Sequence, residues 1–124
     1  MKRVLIVDDA VTVRLYHRQI LEQAGFCVEE AINGLEALEK AVAAPFDLYL
    51  VDVNMPRMDG YTFLRELRAC EEARQAPAVM ISTESQEKDR MAAYAAGANY
   101  YLSKPILPET LVRLASLLTG GRPS

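Results

Sequence analysis

The chain has 124 residues, 51% of them apolar and 25% charged, with a formal net charge of −3. That is enough for one domain with a real core, and the mildly acidic balance, with no Lys/Arg run, argues against direct binding of nucleic acid. No apolar stretch approaches the roughly 18–20 residues of a membrane span, and Met1-Lys2-Arg3 leads into a short apolar run that stops at two aspartates, so this stretch is not expected to act as a signal peptide.

Val4-Leu5-Ile6-Val7 is rich in β-branched residues and reads as strand one, ending at Asp8-Asp9. From Ala10 to Ala24 apolar residues recur at Val13, Tyr16, Ile20 and Ala24, the spacing of a helix face. Gly25 ends that helix, and His17, between Tyr16 and Arg18, is expected to face solvent with no metal or phosphorelay role. Phe26 to Ala31 is strand two. Asn33-Gly34 marks a turn, and Leu35, Leu38, Ala41 and Val42 form the next helical stripe, closed by Pro45. The two cysteines, Cys27 and Cys70, lie in these apolar or helical patterns and read as buried or half-buried thiols of a cytoplasmic protein, not a disulfide.

Leu48 to Val51 is strand three, and it runs straight into Asp52. A carboxylate at the end of a buried strand is costly unless it is paired, hydrogen-bonded or metal-bound. A Pro/Gly-bounded loop follows, in which Met55 and Met58 are expected to pack, and Asp59 is placed to cap helix three. Phe63, Leu64 and Leu67 give that helix its inward face before the charged stretch Glu71 to Arg74. Pro77 to Ile81 is strand four, ending at Ser82-Thr83. Gln86 to Ala96 is helix four, stopped by Gly97, and its charged start from Glu84 to Arg90 reads as solvated. Tyr100-Tyr101-Leu102 is strand five, ending at Ser103-Lys104-Pro105, and Leu111, Leu114 and Leu118 mark helix five. The domain is expected to span 1–119, with 120–124 a loose Gly/Pro-containing tail.

Five strands alternating with five helices predict an α/β fold: a doubly wound parallel five-stranded sheet with helices on both faces. In such a sheet all strand C-termini share one edge, where ligands bind. Asp8 and Asp9, Asp52, Ser82 and Thr83, and Lys104 each follow a strand, whereas strand two ends at the uncharged Ala31-Ile32. Each feature has an ordinary alternative: Asp8-Asp9 or Ser82-Thr83 as helix caps, Lys104 as a solvated lysine, Tyr101 as a rim aromatic. Together they suit one chemistry. Three clustered carboxylates call for a cation, and Mg²⁺ takes few carboxylates plus other oxygens. Mg²⁺ and Lys104 would return three positive charges, so that a carboxylate could receive a phosphoryl group. The Ser82 hydroxyl and the Lys104 ammonium are suited to hold its oxygens.

Val7-Asp8-Asp9, Asp52 with Met55-Pro56-Arg57-Met58-Asp59-Gly60, Ser82-Thr83-Glu84, Ala96-Gly97-Ala98 and Lys104-Pro105 together cover the whole chain. In their order and spacing the chain resembles the receiver domains of two-component response regulators, especially the stand-alone chemotaxis type. The resemblance implies a flavodoxin-like (βα)5 fold with strand order 2-1-3-4-5. It implies Asp52 as phosphoacceptor, and Asp9, Asp52 and the backbone carbonyl of Asn54 as direct Mg²⁺ ligands, with Asp8 acting mainly through a water. Ser82 and Tyr101 take the switch positions, Lys104 that of the phosphate-contacting lysine, and the Lys104-Pro105 bond would be cis. Tyr101 would rotate inward when Ser82 moves toward a phosphorylated Asp52, reshaping the face of helix four, strand five and helix five. Ile106 departs from a common phenylalanine without touching the chemistry.

The implied function is a cytoplasmic signalling switch, not a metabolic enzyme, beyond catalysing its own phosphorylation and dephosphorylation. Its phosphodonor would be a sensor histidine kinase or histidine phosphotransfer domain, and its output a protein bound on the helix 4–strand 5–helix 5 face. It would be a monomer or a weak, phosphorylation-dependent dimer. A stand-alone regulator is the first expectation, since few residues follow helix five. A receiver excised from a longer regulator is the near alternative. An aspartyl-phosphate phosphatase is more remote, because Asn54 stands where such enzymes need a second carboxylate. A flavin module is disfavoured by two aspartates where a phosphate cradle would lie.

Overall fold

The structure is a computed structural model that describes residues 1–120. Beyond Gly120, the expected tail lies outside the described residues. The elements in order are β1 (Arg3–Val7), α1 (Val11–Gln23), β2 (Cys27–Ala31), α2 (Gly34–Ala43), β3 (Leu48–Asp52), α3 (Gly60–Ala69), β4 (Ala78–Ser82), α4 (Glu87–Ala96), β5 (Tyr100–Ser103) and α5 (Pro108–Thr119). The strands form one sheet in the order β2-β1-β3-β4-β5, and every pairing is parallel. This is the doubly wound, flavodoxin-like arrangement expected from the sequence.

The period-two alternation of the strands divides the core in two. Leu5, Val7, Tyr49, Val51 and Met80 point to one face and pack with Phe63, Leu64 and Leu67 of α3 and Ala93 of α4. Val4, Ile6, Leu48, Leu50, Val79 and Ile81 point to the other and pack with Leu21 of α1 and Leu111 of α5. All five residues of both β3 and β4 are buried, so the carboxylate of Asp52 leaves the sheet from inside the molecule.

Local chemistry sets the element ends. Asn33 caps α2 by accepting from the Glu36 N–H, and Glu36 Oε1 in return accepts from the Ile32 N–H. Asp59 caps α3 by accepting from Thr62 at 2.8 Å, as expected. At the start of α4 the Asp89 carboxylate accepts from the Gln86 N–H at 3.2 Å, and neither Ser82 nor Thr83 is the N-cap. The helix stops at Gly97, whose φ of 114° admits few other residues.

Three expectations are corrected. The buried face of α1 is Arg14, His17 and Leu21, while Tyr16 is exposed and Val13, Ile20 and Ala24 are half-buried. The helix is rotated because Arg14 reaches under it to bond the Asp8 carbonyl just after β1 and the Glu30 carboxylate of β2. In α2 the buried residues are Gly34, Ala37 and Ala41, whereas Leu35 and Val42 are exposed. Small residues let this helix lie close to its neighbours, and the Gly34 N–H bonds the Met58 carbonyl at 3.1 Å with no room for a Cβ. Both cysteines are free, but Cys27 is exposed at the start of β2 and only Cys70 is half-buried.

Candidate functional site

Four strand ends converge as the topology requires. Asp8 follows β1 and its N–H bonds the Ala31 carbonyl of β2 at 3.1 Å. Asp52 closes β3, in register with Ile81 of β4. The Lys104 N–H bonds the Ser82 carbonyl at 2.7 Å, which sets the β5 exit beside the β4 exit. The Lys104 ammonium then lies 3.1 Å from Asp8 Oδ2 and 3.0 Å from Asp52 Oδ1. Carboxylate oxygens of Asp8, Asp9 and Asp52 all lie within 4.8 Å of one another. Asp8 and Asp52 are 3% and 8% exposed, so their repulsion is poorly screened by water. Asp9 faces solvent.

Burial, and next the charge of Asp8, push the Asp52 carboxyl above its usual range, against the pull of Lys104. Burial works against the Lys104 ammonium too, but its bonds to Asp52 and Asp8 outweigh that and raise its proton affinity. One ammonium between two buried carboxylates leaves negative charge over. An all-oxygen donor set of this kind fits a hard divalent cation such as Mg²⁺.

The loop after β3 is pinned on both sides. The Val53 N–H bonds the Ile81 carbonyl at 3.0 Å, and the Gly60 N–H bonds the Val53 carbonyl at 2.9 Å. A Cβ at Gly60 would collide with the main-chain oxygen of Asp52 and crowd Val51 and Val53, so glycine alone lets α3 start against the strand end. Between them Asn54 is exposed, Met55 and Met58 pack on the core as expected, and Arg57 holds a φ of 69°.

On the other side Ser82 is buried and its Oγ accepts from the Glu84 N–H at 3.0 Å. Tyr101 is buried as well, and its hydroxyl donates to the Glu84 carbonyl at 2.5 Å. The ring therefore occupies the inward position, tied to the same loop residue as Ser82. The Lys104-Pro105 bond is cis.

His17 departs from expectation. It is 3% exposed and lines a pocket of about 300 Å³ with Lys104, Thr83, Pro105 and Ile106. Burial, and then the nearby Lys104 charge, lower its proton affinity, while Asp8 works the other way. Its signal in the sequence was the apolar pair Val13 and Leu21, each four residues away. A stripe drawn through Val13, Tyr16 and Ile20 instead leaves His17, beside Arg18, facing solvent.

The comparisons agree with this geometry. The sequence profile of the response regulator receiver domain matches residues 4–116. The transcriptional regulatory protein ResD of Bacillus subtilis is 35% identical over 117 residues, which are 94% of this chain and 48% of ResD. The chain spans about half the length of the curated relatives it matches. Among solved structures, the chemotaxis response regulator CheY4 of Vibrio cholerae superposes with a TM-score of 0.89 at 38% identity, over 95% of this chain and 98% of that one. The receiver domain of the sensor histidine kinase PA1611 of Pseudomonas aeruginosa, with a magnesium ion coordinated in its active-site cleft, has a TM-score of 0.89 at 29% identity, covering 97% and 98%. With the profile matched from β1 into α5 and the acidic edge assembled, the chain belongs to the family of response regulator receiver domains.

Proposed function

We propose that the chain is a phosphorylation-dependent switch in which Asp52 accepts a phosphoryl group from a histidine kinase or histidine phosphotransfer domain. One observation carries the reading: the Lys104 ammonium bridges Asp8 and Asp52 at 3.1 and 3.0 Å within a three-carboxylate cluster. An Asp52 oxygen bonds to phosphorus as the donor's P–N bond breaks, and the electron pair of that bond goes to the departing imidazole. Asp9, Asp52 and the Asn54 carbonyl would hold Mg²⁺ directly and Asp8 through a water. When bound, the ion offsets the charge of the carboxylates and of the incoming phosphoryl oxygens.

The remaining roles follow from position. Lys104 exchanges part of its carboxylate pairing for a phosphoryl oxygen. Ser82 has an acceptor bond from Glu84 but keeps its own proton to donate. A shift of Ser82 toward Asp52 pulls on Glu84, whose carbonyl holds the Tyr101 hydroxyl. The inward ring is thus one end state of the proposed switch, held by the loop that Ser82 would move. The output is read on the face of α4, β5 and α5, where Met91, Tyr94 and Tyr100 stand exposed. The reader is a partner protein or, as in a longer regulator, an attached output domain. The receiver unit is residues 1–119, working in the cytoplasm.

The test is intact mass after incubation with acetyl phosphate, with and without Mg²⁺. A single phosphoryl adduct that needs Mg²⁺ and is lost in Asp52→Asn is the expected result. Absence of the adduct in wild type with Mg²⁺ bound would remove the phosphoacceptor reading.

A further inference from the structure

Asp8 is held at each of its polar atoms. Its N–H bonds the Ala31 carbonyl at 3.1 Å, its Oδ1 accepts from the Ala10 N–H at 2.9 Å, and its Oδ2 pairs with Lys104. The fourth bond comes from outside the strand edge: Arg14 of α1 donates from Nη1 to the Asp8 carbonyl at 2.8 Å, in a buried contact. The guanidinium is anchored at its other side, where Nε bonds Glu30 Oε1 of β2 at 2.8 Å. Glu30 is itself tied down, since Arg18 takes its other oxygen and Lys40 of α2 donates to its main-chain carbonyl at 2.5 Å.

A buried guanidinium is costly and is kept where its forked donors are matched. Here the fork spans from an anchored carboxylate to the peptide that joins Asp8 to Asp9, and both of these carboxylates project from that peptide. We infer that Arg14 is a positioning residue for the acidic cluster, setting its affinity for Mg²⁺ by fixing the Asp8–Asp9 peptide against the Glu30 anchor. The inference rests on the metal reading given under the proposed function. Arg18 supplies an internal control, because it shares Glu30 but makes no bond to Asp8.

The experiment is calorimetric titration of Mg²⁺ into wild type, Arg14→Met, Arg14→Lys and Arg18→Met, with melting curves in the absence of Mg²⁺. Partners outside the ligand sphere typically account for about 10–100-fold in metal affinity. Arg14→Met is expected to weaken Mg²⁺ about tenfold or more, Arg14→Lys to recover part of that, and Arg18→Met to stay within about twofold of wild type. At saturating Mg²⁺, Arg14→Met should still phosphorylate from acetyl phosphate near the wild-type rate, with only the half-saturating Mg²⁺ concentration shifted. The inference is overturned if wild type binds Mg²⁺ and Arg14→Met binds it equally well, or if Arg18→Met weakens it as much. Should Arg14→Met not fold, Glu30→Gln carries the test: weaker Mg²⁺ binding than Arg18→Met supports the anchor, and wild-type binding overturns it. Wild type that binds no Mg²⁺ would overturn the metal reading itself, and this inference with it.

Discussion

Arg57 sits at a φ of 69° in the β3–α3 loop, a region that costs a side chain with a Cβ about 1 kcal/mol or more. Arg57→Gly is therefore expected to raise stability by about 0.5–1 kcal/mol, read as a higher urea midpoint at unchanged slope. His17 makes the opposite kind of prediction. Its ordinary value is 6.5, and burial holds the folded value lower, so the unfolded chain takes up a proton first as pH falls. The stability it contributes is whole above about pH 6.5 and is lost as pH drops through the folded value. His17→Leu should flatten the fall in stability below about pH 6.5, measured by urea titration at each pH. Glu30 acts in a separate, lower window. Burial works against its carboxylate, but the Arg18 and Arg14 guanidinium groups hold it below its ordinary 4.5, so that contribution is lost only below that value. Asp8, Asp9, Asp52, Ser82 and Lys104 could be read from the sequence because each follows an apolar strand, and a parallel sheet sends all strand ends one way. His17 and Arg14 could not. Hydropathy assigns a polar helix residue to solvent, and the partner that draws Arg14 inward is 16 residues distant.

For whole elements, the sequence was informative where periodicity and punctuation agreed. Helix α3 has Phe63, Leu64 and Leu67 inside and Asp59 as its cap, as its pattern demands. Helices α1 and α2 had strong punctuation but a misleading stripe, since ion pairing turned the first and close packing of small residues turned the second. Strand limits moved by a residue or so, as at β4, which begins at Ala78 and includes Ser82. The close start of α3 gives a sharp test. Gly60→Ala drives a methyl into the Asp52 carbonyl and its flanking residues, and a shift of backbone is the only relief. A loss of about 2–3 kcal/mol is expected by denaturant unfolding. The mutant should also phosphorylate more slowly, since the strand end that carries Asp52 has to move.

Across the whole molecule, the acidic edge is a local liability that the fold carries. Asp52 has its carboxyl pushed up by burial and then by Asp8, so ionising it at neutral pH opposes folding. The sign follows directly: a raised folded value means the stability is present at low pH and lost as pH rises through that value. In the absence of divalent cations Asp52→Asn should therefore be more stable than wild type, with a higher melting temperature. Adding Mg²⁺ should narrow or reverse that order, because a ligand present at about 100 times its dissociation constant stabilises by about 2.7 kcal/mol.

The parallel sheet also decides when in folding the site comes into being. Asp8 and Lys104 meet across 96 residues of sequence and Asp52 and Lys104 across 52, and no hairpin brings any of them together early. Contacts of such long loop closure form slowly, so the cluster is among the last features to assemble. A transition state that lacks the site gains nothing from a cation. Mg²⁺ should then leave the refolding rate unchanged and slow unfolding alone, so that one arm of the chevron moves and the other stays.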